Sequence, residues 1–474
     1  METKVRFAPS PTGKLHIGGL RTALYNYLYA KKVDGKIILR IEDTDQTRKI
    51  ENSVENLISI SNIINIEFDE GPTLNNDKSY FQSERLDIYN KYIKYLIKHR
   101  YAYPCFCTSK RLDLIRQKQA SNKETIKYDR HCLKLDSEIV KQKMAVESYV
   151  FRMKIPSDEE IVFYDMVRDK ISINCMELDD QILIKSDGYP TYHFANVIDD
   201  HLMGVTHVMR GEEWLPSTPK HVILYDFFDW RLPKFIHLPL LLNHDRTKLS
   251  KRQGDVAVED YLKKGFLPDA IINFVALLGW NPKNEKEFFT LEELTKEFSI
   301  KNIQKSGAIF DIKKLEWMNS HYLKIKDVNE IAKLAEPFFL NKNMDISNVE
   351  KFLLIINHVK QRVNTLAEMP KEAKRFYEEL DFSNEQLNFL NKNDPQKLLK
   401  AILIKLKNEP NCDGNKFKNI SMDVGEKYNL KGKDLFHPLR IALYGSPDGP
   451  DIPIIYSILE KNEIINRLSR VINE

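Results

Sequence analysis

The sequence predicts an α/β protein with a parallel sheet in its N-terminal half and an all-helical region in its C-terminal third. Three observations support this prediction. The first 50 residues read as strand, helix and strand, a second such pattern follows at residues 206–242, and strand signals fade after residue 255. Parallel strands need a crossover connection, which is usually a helix, so each pattern indicates parallel pairing.

The first pattern starts with a short apolar strand at residues 5–8 that ends in PSPTG, where two prolines and a glycine fix a tight turn. Apolar residues at helical spacing follow over residues 20–28. A second strand at residues 36–41 closes on an acidic cluster that begins with Glu42. Ligands of parallel sheets bind beyond the carboxyl ends of the strands, so we expect a site near PSPTG and Glu42.

The pattern returns with a strand at residues 206–210, a helix at 216–228 and a strand at 235–242. The stretch 85–195 between the two patterns carries a cysteine cluster, a Lys-rich segment and short strand-like runs. We interpret it as an α+β insertion into the sheet domain.

The last part of the chain shows helix signals only. TLEE at residues 290–293 is a capping box that opens a helix. Apolar spacing predicts one helix over residues 349–369 and another over residues 454–472. Between them, Asp394 and Pro395 are typical of an N-cap and a first helical position.

Composition excludes several classes of protein. The 474 residues are 42% hydrophobic and 30% charged, which is a globular balance and not a disordered one. No apolar run reaches the ~18 residues of a membrane helix, and METKVRFAPS lacks the apolar core of a secretory signal. Five cysteines make no disulfide framework, so we expect a cytoplasmic protein. The net charge of +4 does not by itself indicate a nucleic-acid binder.

Two segments are candidates for binding phosphate. KLHIGG, at residues 14–19, lies where the first strand passes into the first helix, and His16 there can donate to a phosphate oxygen. RTKLSKR, at residues 246–252, can bring Lys248 and Lys251 onto a triphosphate. Alone, each segment is more typical of a helix-start loop or of a solvated basic loop.

Together with two further segments, these motifs resemble a known family. RFAPSPTGKLHIGGLRTALYNYLYAKK resembles the HIGH region of class I aminoacyl-tRNA synthetases, and KLSKR resembles their KMSKS loop. RIEDTD, at residues 40–45, and MRGEEW, at residues 209–214, resemble segments of the bacterial glutamyl-tRNA synthetases. The four motifs occur in the family's order, with about 230 residues between HIGH and KMSKS, and the resemblance covers the whole chain.

The resemblance implies a particular architecture. A Rossmann-like class I synthetase catalytic domain would occupy residues 1–84 and 196–245, with an inserted connective domain that binds the acceptor stem at residues 85–195. A stem-contact domain with the KMSKS loop would follow at residues 246–325, and an all-helical anticodon-binding region at residues 326–474.

The resemblance also implies an activity. L-Glutamate would be activated with ATP to glutamyl-adenylate and transferred to the terminal ribose of tRNA(Glu), releasing AMP and diphosphate. No protein nucleophile is required, and ATP would be used with Mg²⁺. His16, Lys248 and Lys251 would be catalytic, through positioning and electrostatic stabilisation of the phosphates. The implied ATP-binding residues are His16, Gly18, Gly19, Lys248, Ser250 and Lys251.

Glutamate, with two carboxylates and one ammonium, requires both a guanidinium and a carboxylate in its pocket. The planar fork of an arginine suits the side-chain carboxylate, and Glu42 can hold the α-ammonium. Without a binding role, Glu42 would be a surface acid at a strand end and Arg210 would form a surface salt bridge. The glutamate pocket that the resemblance implies consists of Arg6, Ala8, Ser10, Glu42, Tyr192, Asn196 and Arg210.

Arg210 also argues against assigning the chain to the glutaminyl-tRNA synthetases, because the neutral amide of glutamine would leave this arginine without a charge partner. The helical C-terminal third agrees, since the glutaminyl enzymes resemble β-barrels there. The enzyme that glutamylates queuosine in tRNA resembles the catalytic half alone, and this chain is longer. Two alternatives remain open: a synthetase that also charges tRNA(Gln) with glutamate, and a non-catalytic tRNA-binding paralogue.

Cys105, Cys107 and Cys132 have spacings that are plausible for zinc ligands, and some relatives carry zinc at this place. A structural zinc site needs four ligands, and the relatives' fourth position is a lysine here. Tyr128 or His131 could substitute. The alternative is a set of reduced cysteines left from a lost site.

The helical C-terminal region should read the anticodon of tRNA, whose unpaired bases are recognised by stacking and by hydrogen bonds to their edges. Arg362 could contact the anticodon, as the arginine of the family's similar R-x-x-T-L segment suggests. The alternative interpretation is a solvated helix face, since Lys360 and Arg362 both lie off the apolar face of the helix predicted over residues 349–369. We expect a monomer that binds tRNA and glutamate and does not bind membranes.

Overall fold

The computed structural model describes residues 2–48, 50–72, 79–249 and 257–472. The chain divides into two compact units, Met1–Tyr261 with Ile271–Ile312 and Leu262–Ala270 with Lys313–Glu474. The predicted α/β class is confirmed for the first unit, and the predicted helical region is confirmed in the second. None of the helices in these described ranges is long and apolar enough to cross a membrane.

The strands lie in the first unit. In chain order they are β1 Lys4–Phe7, β2 Lys36–Leu39, β3 Ala102–Cys105, β4 Val150–Met153, β5 Glu160–Asp165, β6 Asp169–Asn174, β7 Ile182–Ile184, β8 His207–Gly211, β9 Lys234–Leu238, β10 Leu241–Leu242 and β11 Ala308–Ile309.

The helices occur in both units. In chain order, the helices before residue 300 are α1 Ile17–Lys32, α2 Ser53–Ile63, α3 Leu86–Lys98, α4 Ser109–Ser121, α5 Ser137–Val146, α6 Tyr192–Leu202, α7 Thr218–Phe227, α8 Val258–Lys263, α9 Pro268–Ala276 and α10 Leu291–Glu297. The later helices are α11 Ile312–Ile325, α12 Val328–Leu340, α13 Val349–Val359, α14 Met369–Tyr377, α15 Asn384–Leu390, α16 Asn393–Lys407, α17 Gly414–Lys427, α18 Lys433–Tyr444 and α19 Ile452–Val471.

The predicted strand–helix–strand unit is present as β1, α1 and β2. The two strands pair in parallel, with Val5 opposite Ile37 and Phe7 opposite Leu39, so both strands end at the same edge. The helix buries one face through Leu20, Leu24 and Leu28, each of which is fully buried. The crossover therefore places the turn after β1 and the acidic segment after β2 side by side.

A second group of parallel strands continues this arrangement. The strand order is β6-β5-β9-β8, with β8, β9 and β5 parallel and β6 antiparallel to β5. The backbone N–H of Thr206 donates to the carbonyl of Lys4 (2.8 Å), which brings β8 next to β1. In the register of β8 and β9, Arg210 lies opposite His237. The carboxyl ends of β1, β2 and β8 therefore face the same space.

A separate antiparallel sheet, β3-β4-β7, lies in the segment predicted as an insertion. It belongs to a hydrophobic core in which Ile93 of α3, Met153 and Leu183 pack with Phe194 of α6. This core anchors α6, whose first turn carries Tyr192 and whose end carries Asp200. The four predicted domain bounds are not tested by the division into two units and stay a prediction.

The second unit has its own apolar interior. Leu399 and Ile402 of α16, Leu439 of α18, and Ile455 and Leu468 of α19 are all fully buried. The last helix contains a non-helical residue, Glu460, with φ 60° and ψ 169°, so α19 is two helical segments joined at a kink.

Several predicted bounds are wrong in detail. The helix predicted over residues 349–369 ends at Val359, and a separate helix starts at Met369. The helix α16 begins at Asn393 after Lys392, so Asp394 and Pro395 lie within its first turn. The strand predicted at residues 235–242 is broken into β9 and β10. By contrast, the predicted capping box at Thr290 is confirmed, with both reciprocal hydrogen bonds present.

Candidate active site

A cavity of about 830 Å³ opens at the carboxyl ends of β1, β2 and β8, and we call it the large cavity. The strand ends and the first turn of α6 supply its charged and polar walls. The sequence-predicted residues that line it are Arg6, Ala8, Ser10, Gly18, Gly19, Glu42, Tyr192 and Arg210. The fold therefore brings together residues that are more than 200 positions apart in the chain.

A second cavity of about 410 Å³ shares walls with the large one at Ser10, Gly18 and Gly19. It is also lined by His16 and Lys248, one residue from each of the two candidate phosphate-binding segments. The other two residues predicted for this site, Ser250 and Lys251, lie outside the described residues.

His16 is the N-cap of α1, and its Nδ1 accepts a hydrogen bond from the backbone N–H of Gly18 (2.9 Å). A neutral imidazole with an accepting Nδ1 carries its proton on Nε2, which makes that nitrogen a donor. The helix N-terminus adds a partial positive charge at the same place. The second cavity therefore combines the features that favour a phosphate group.

Arg6 and Arg40 share one carboxylate behind the large cavity. Arg6 Nε donates to Asp200 Oδ1 (3.1 Å), and Arg40 Nη1 donates to the same oxygen (2.8 Å). Both arginines are buried, as is Asp200. Burial opposes ionisation of Asp200, but the two arginines outweigh it and lower the pKa of this carboxyl. The charge of Arg6 is thus largely neutralised within the protein.

Glu42 is the buried acidic residue among the four that line the large cavity, the others being Asp45, Asp187 and Glu213. Its Oε1 accepts from Arg40 Nη2 (3.2 Å), and the residue is 8% exposed. Burial raises the pKa of Glu42 to about 7, although Arg40 and Arg6 act in the opposite direction. A cationic ligand group at this wall would stabilise the ionised carboxylate and be bound by it.

Arg210 is buried and makes four hydrogen bonds to uncharged groups. Its Nε donates to His237 Nε2 (3.1 Å) and its Nη2 to Thr218 Oγ1 (2.9 Å). Its Nη1 donates to Tyr192 Oη (3.1 Å) and lies 3.2 Å from His221 Nδ1. Burial lowers the pKa of His221 well below its ordinary value, with Arg210 adding to the effect, so this imidazole is neutral.

Arg6 and Arg210, the two buried arginines that line the large cavity, therefore differ in what surrounds their charge. Arg6 is paired with a buried carboxylate, whereas none of the hydrogen bonds of Arg210 to described residues goes to a carboxylate. A buried cation without a charge partner is costly unless a ligand supplies an anion. Arg210 thus presents a positive charge to the large cavity that an anionic ligand group could neutralise.

Asn196 is the one predicted pocket residue that does not line the large cavity. It is 1% exposed, its Oδ1 lies 3.4 Å from Arg40 Nη2, and its Nδ2 has no hydrogen-bond partner among the described residues. Asn196 therefore lies behind the cavity wall, next to the hydrogen bonds that Arg40 makes.

The cysteine cluster consists of Cys105, Cys107 and Cys132 around the hydroxyl of Tyr128. The three Sγ atoms lie within 4.8 Å of one another, and Cys107 and Cys132 are 3.6 Å apart. Tyr128 Oη lies 3.4 Å from Cys105 Sγ and 3.3 Å from Cys107 Sγ, whereas His131 is exposed. The hydrogen bond from Cys132 lowers the pKa of Cys105 to about 4, against the effect of burial.

Arg362 lies after the end of α13, in the second unit. It lines a cavity of about 410 Å³ together with Lys371, Arg375 and Tyr444, and its Nη1 lies 3.7 Å from Glu372 Oε1. The Arg375 guanidinium lies over the Tyr444 ring at 5.1 Å. Lys360, predicted to be a solvated neighbour of Arg362, is instead buried, and its Nζ donates to the carbonyl of Lys326 (2.6 Å).

The sequence-based prediction missed the residues that hold the pocket from behind. Arg40 of the RIEDTD segment directly follows β2, and His237 is the one polar residue of β9 after Lys234, so each breaks a run of apolar residues. That pattern was the available signal. Asp200 and Asp165 gave none, because their partners lie on distant parts of the chain.

Comparison with known families gives two matches along the chain. Residues 2–317 match the family model of the catalytic domain of class I tRNA synthetases (E and Q). Residues 330–472 match the model of an anticodon binding domain.

Individual relatives are similar over their whole length. A glutamate–tRNA ligase of Alkaliphilus metalliredigens (strain QYMF) is 44% identical over 484 residues, which covers 99% of this chain and 98% of the relative. A glutamate–tRNA ligase of Clostridioides difficile (strain 630) is also 44% identical, and the match covers 100% of this chain and 99% of the relative. A crystal structure of a glutamate tRNA ligase from Elizabethkingia meningosepticum CCUG26117, in complex with its amino acid, has a TM-score of 0.92 at 36% identity and covers 99% of both chains.

Proposed function

Because the chain belongs to the class I tRNA synthetases of the glutamate and glutamine group, we propose that it acts as a glutamate–tRNA ligase. It forms glutamyl-adenylate and diphosphate from L-glutamate and ATP, and then transfers the glutamyl group to the terminal ribose of tRNA(Glu), releasing AMP. The observation that carries this proposal is the buried guanidinium of Arg210, which faces the large cavity with uncharged partners.

Glutamate is held by opposite charges in the large cavity. Arg210 binds the side-chain carboxylate through its planar fork, while Glu42 binds the α-ammonium. The hydroxyl of Tyr192 and the backbone around Ala8 and Ser10 complete the pocket. Arg6, which is tied to Asp200, also lines the pocket, and Asn196 with its unused amide donor supports it from behind.

Selectivity for glutamate over glutamine follows from the charge of Arg210. A neutral amide would leave the buried guanidinium without an anion, and a site built for a charged partner rejects an analogue that lacks it. Such discrimination acts on the amino acid and is separate from the choice of tRNA.

ATP binds in the second cavity, with its phosphates at the start of α1. His16, Gly18 and Gly19 contact ATP, and Lys248 stabilises charge on the phosphates as the substrate carboxylate attacks the α-phosphate. By sequence, Ser250 and Lys251 of the KMSKS loop act with them. ATP enters with Mg²⁺, as is general for this class of enzyme.

The anticodon of tRNA binds in the second unit. Arg362 contacts it, which is supported by the cavity that this residue shares with Arg375 and Tyr444, although Glu368, Glu372 and Asp448 balance its positive charges. Guanidinium planes and aromatic rings are the groups on which unpaired bases stack. We further propose that the chain acts as a monomer in the cytoplasm, where its substrates ATP and tRNA occur.

The cysteine cluster fits a structural zinc ion. In a tetrahedral site with Zn–S bonds of about 2.3 Å, the sulfurs lie about 3.8 Å apart, which is close to the 3.6 Å between Cys107 and Cys132. We propose Tyr128 as the fourth ligand, because its hydroxyl lies among the thiols and His131 is exposed. Such an ion would tie the turn at residues 131–134 to β3.

The test is aminoacylation with labelled glutamate on two separate transcripts, tRNA(Glu) and tRNA(Gln). The tRNA must be present throughout, since adenylate formation in this family usually waits for it. We expect charging of tRNA(Glu), with unlabelled glutamine unable to compete for the site. Charging of both tRNAs would mean that the anticodon-binding region does not discriminate between them. Charging of neither would contradict the proposed function.

A further inference from the structure

Three neighbouring strands supply a buried polar chain behind Arg210. Asp165 lies on β5, His237 on β9 and Arg210 on β8, and these strands are adjacent in the sheet. Arg210 Nε lies 3.1 Å from His237 Nε2, and His237 Nδ1 lies 2.7 Å from Asp165 Oδ2. All three residues are buried. His237 contacts Arg210, and Asp165 contacts His237. Neither Asp165 nor His237 lines the large cavity.

The hydrogen-bond roles in this chain are set by the chemistry of its members. A guanidinium donates and never accepts, so Nε2 of His237 must present its lone pair to Arg210. The proton of the neutral ring is then on Nδ1 and points to Asp165. Burial lowers the pKa of His237 despite the opposing effect of Asp165, in agreement with a neutral ring.

Building on the proposed role of Arg210 in binding the substrate carboxylate, we propose that Asp165 and His237 are positioning residues for glutamate recognition. Asp165 holds His237 in the tautomer whose Nε2 accepts from Arg210, and this bond fixes the rotation of the guanidinium. In the other tautomer the Nε2–H of His237 would face the Nε–H of Arg210, and only Thr218 Oγ1, 3.1 Å from Nε2, could accept from the ring. The Nε–H of Arg210 would then be a buried donor without its acceptor. Arg210 would then turn away from the orientation that binds the substrate.

Asp165 is itself held rigidly. Its Oδ1 accepts from the backbone N–H groups of Val167 and Arg168 (2.9 Å each), and its Oδ2 also accepts from the backbone N–H of His237 (3.1 Å). These bonds and His237 outweigh burial and lower the pKa of Asp165, so it is an ionised acceptor. The carboxylate can therefore dictate the tautomer of the ring that it contacts.

An imidazole orients Arg210 without neutralising it, which a carboxylate in the same place could not do. The contrast is Arg6, whose direct contact is the carboxylate of Asp200. In the Arg210 chain the carboxylate is one residue further away, beyond a neutral ring. The arrangement keeps the positive charge of Arg210 available for the substrate.

The decisive variant is Asp165→Asn. Its amide would present an N–H to Nδ1 of His237 and move the ring proton to Nε2, against Arg210, as in a protease triad whose aspartate becomes asparagine. We expect the KM for glutamate to rise at least about tenfold while the KM for ATP stays within about twofold of wild type. Steady-state aminoacylation of tRNA(Glu), with each substrate varied in turn, measures both.

The matched variant is His237→Gln, whose side-chain oxygen can accept from Arg210 and has no tautomer to control. In the His237→Gln background, Asp165→Asn should cause no more than about a twofold further rise in the glutamate KM, so the double-mutant cycle is strongly non-additive. If Asp165→Asn does not fold, His237→Asn replaces it, since its amide reaches only the Nδ1 position and should raise the glutamate KM as much.

The control is His207→Gln, the same exchange at a buried histidine of β8 that bonds Tyr29 and Thr206 and not Arg210. It should leave the glutamate KM unchanged. If wild type and this control do not charge tRNA(Glu), the proposed function fails. If they charge it but Asp165→Asn leaves the glutamate KM unchanged, or acts additively with His237→Gln, the positioning proposal alone is overturned.

Discussion

The carboxyl group of Glu42 must be ionised to bind an ammonium, yet burial raises its pKa to about 7. An acid with a raised pKa is ionised above that value and protonated below it. Because kcat/KM reports the ionisation of the free enzyme, we expect kcat/KM for glutamate to be about tenfold lower at pH 6 than at pH 8. Aminoacylation rates at limiting glutamate across this range measure the effect.

The companion measurement is kcat at saturating glutamate. A bound ammonium stabilises the ionised carboxylate, so kcat should depend on pH much less than kcat/KM between pH 6 and 8. A flat kcat/KM profile over the same interval would show that Glu42 does not bind the α-ammonium in its ionised form.

Replacing Arg210 removes one partner of a buried charge pair with the substrate. Such truncations cost about 2–5 kcal/mol, so Arg210→Ala should raise the glutamate KM by roughly 30- to 4,000-fold and leave the ATP KM nearly unchanged. Arg116→Ala, at an exposed arginine of α4, is the control and should change neither constant. Unchanged glutamate kinetics in Arg210→Ala would exclude this residue from the pocket.

At this scale the sequence-based prediction found the residues that carry motifs and missed those that support them. Arg6, Glu42 and Arg210 were found because they lie in or beside segments with a recognisable pattern. Asp165 was missed because its partner His237 is 72 positions away, and only the pairing of β5 with β9 brings the two together. Lys360 was misplaced because a charged side chain can be buried when a carbonyl such as that of Lys326 accepts from it.

At the scale of elements, the cysteine cluster makes a direct prediction about metal content. Protein purified without chelators should contain about one zinc per chain, and Cys107→Ser should remove most of it, since zinc prefers thiolates in a four-ligand site. Tyr128→Phe should weaken metal retention during dialysis, whereas His131→Ala should not. Clearly substoichiometric zinc in the wild-type chain would mean that the thiols form no metal site.

Helix ends illustrate what periodicity cannot supply. The apolar pattern continues past Val359, but the helix ends there, and the backbone that follows makes long-range hydrogen bonds. The side chain of Asn319 donates to the carbonyl of Asn364 (2.5 Å), and the N–H of Leu366 donates to the carbonyl of Gly265 (3.0 Å). By contrast, the helix at Thr290 was predicted well because its capping box is a local signal.

For the whole molecule, each compact unit has its own apolar core, so we expect two calorimetric unfolding transitions. A non-hydrolysable glutamyl-adenylate analogue at about 100 times its Kd should stabilise the first unit by about 2.7 kcal/mol and raise one transition by several degrees. Leu439→Ala removes buried side-chain volume in the second unit and should lower the other transition only. A single transition, or equal shifts of both, would contradict this prediction.

The class of the fold was predictable because its signals are repeated and local. The parallel pairing of β1 with β2 and the helical second unit follow from hydrophobic periodicity and chain order. The position of β5 beside β9 in the sheet was not predictable, because strand neighbours in a sheet need not follow chain order. The course of residues 250–256 lies outside the described residues, so the predicted roles of Ser250 and Lys251 stay predictions.

The uncharged surroundings of Arg210 have a consequence for inhibitor chemistry. A compound that fills the large cavity without an acidic group would leave this guanidinium desolvated, so potent competitive inhibitors must be anionic at that end. The hydrocarbon core of a cell membrane excludes the same anion. Affinity and cell entry therefore oppose each other for this pocket, and an ester that intracellular hydrolysis converts to the acid is the form in which such an inhibitor would have to be delivered.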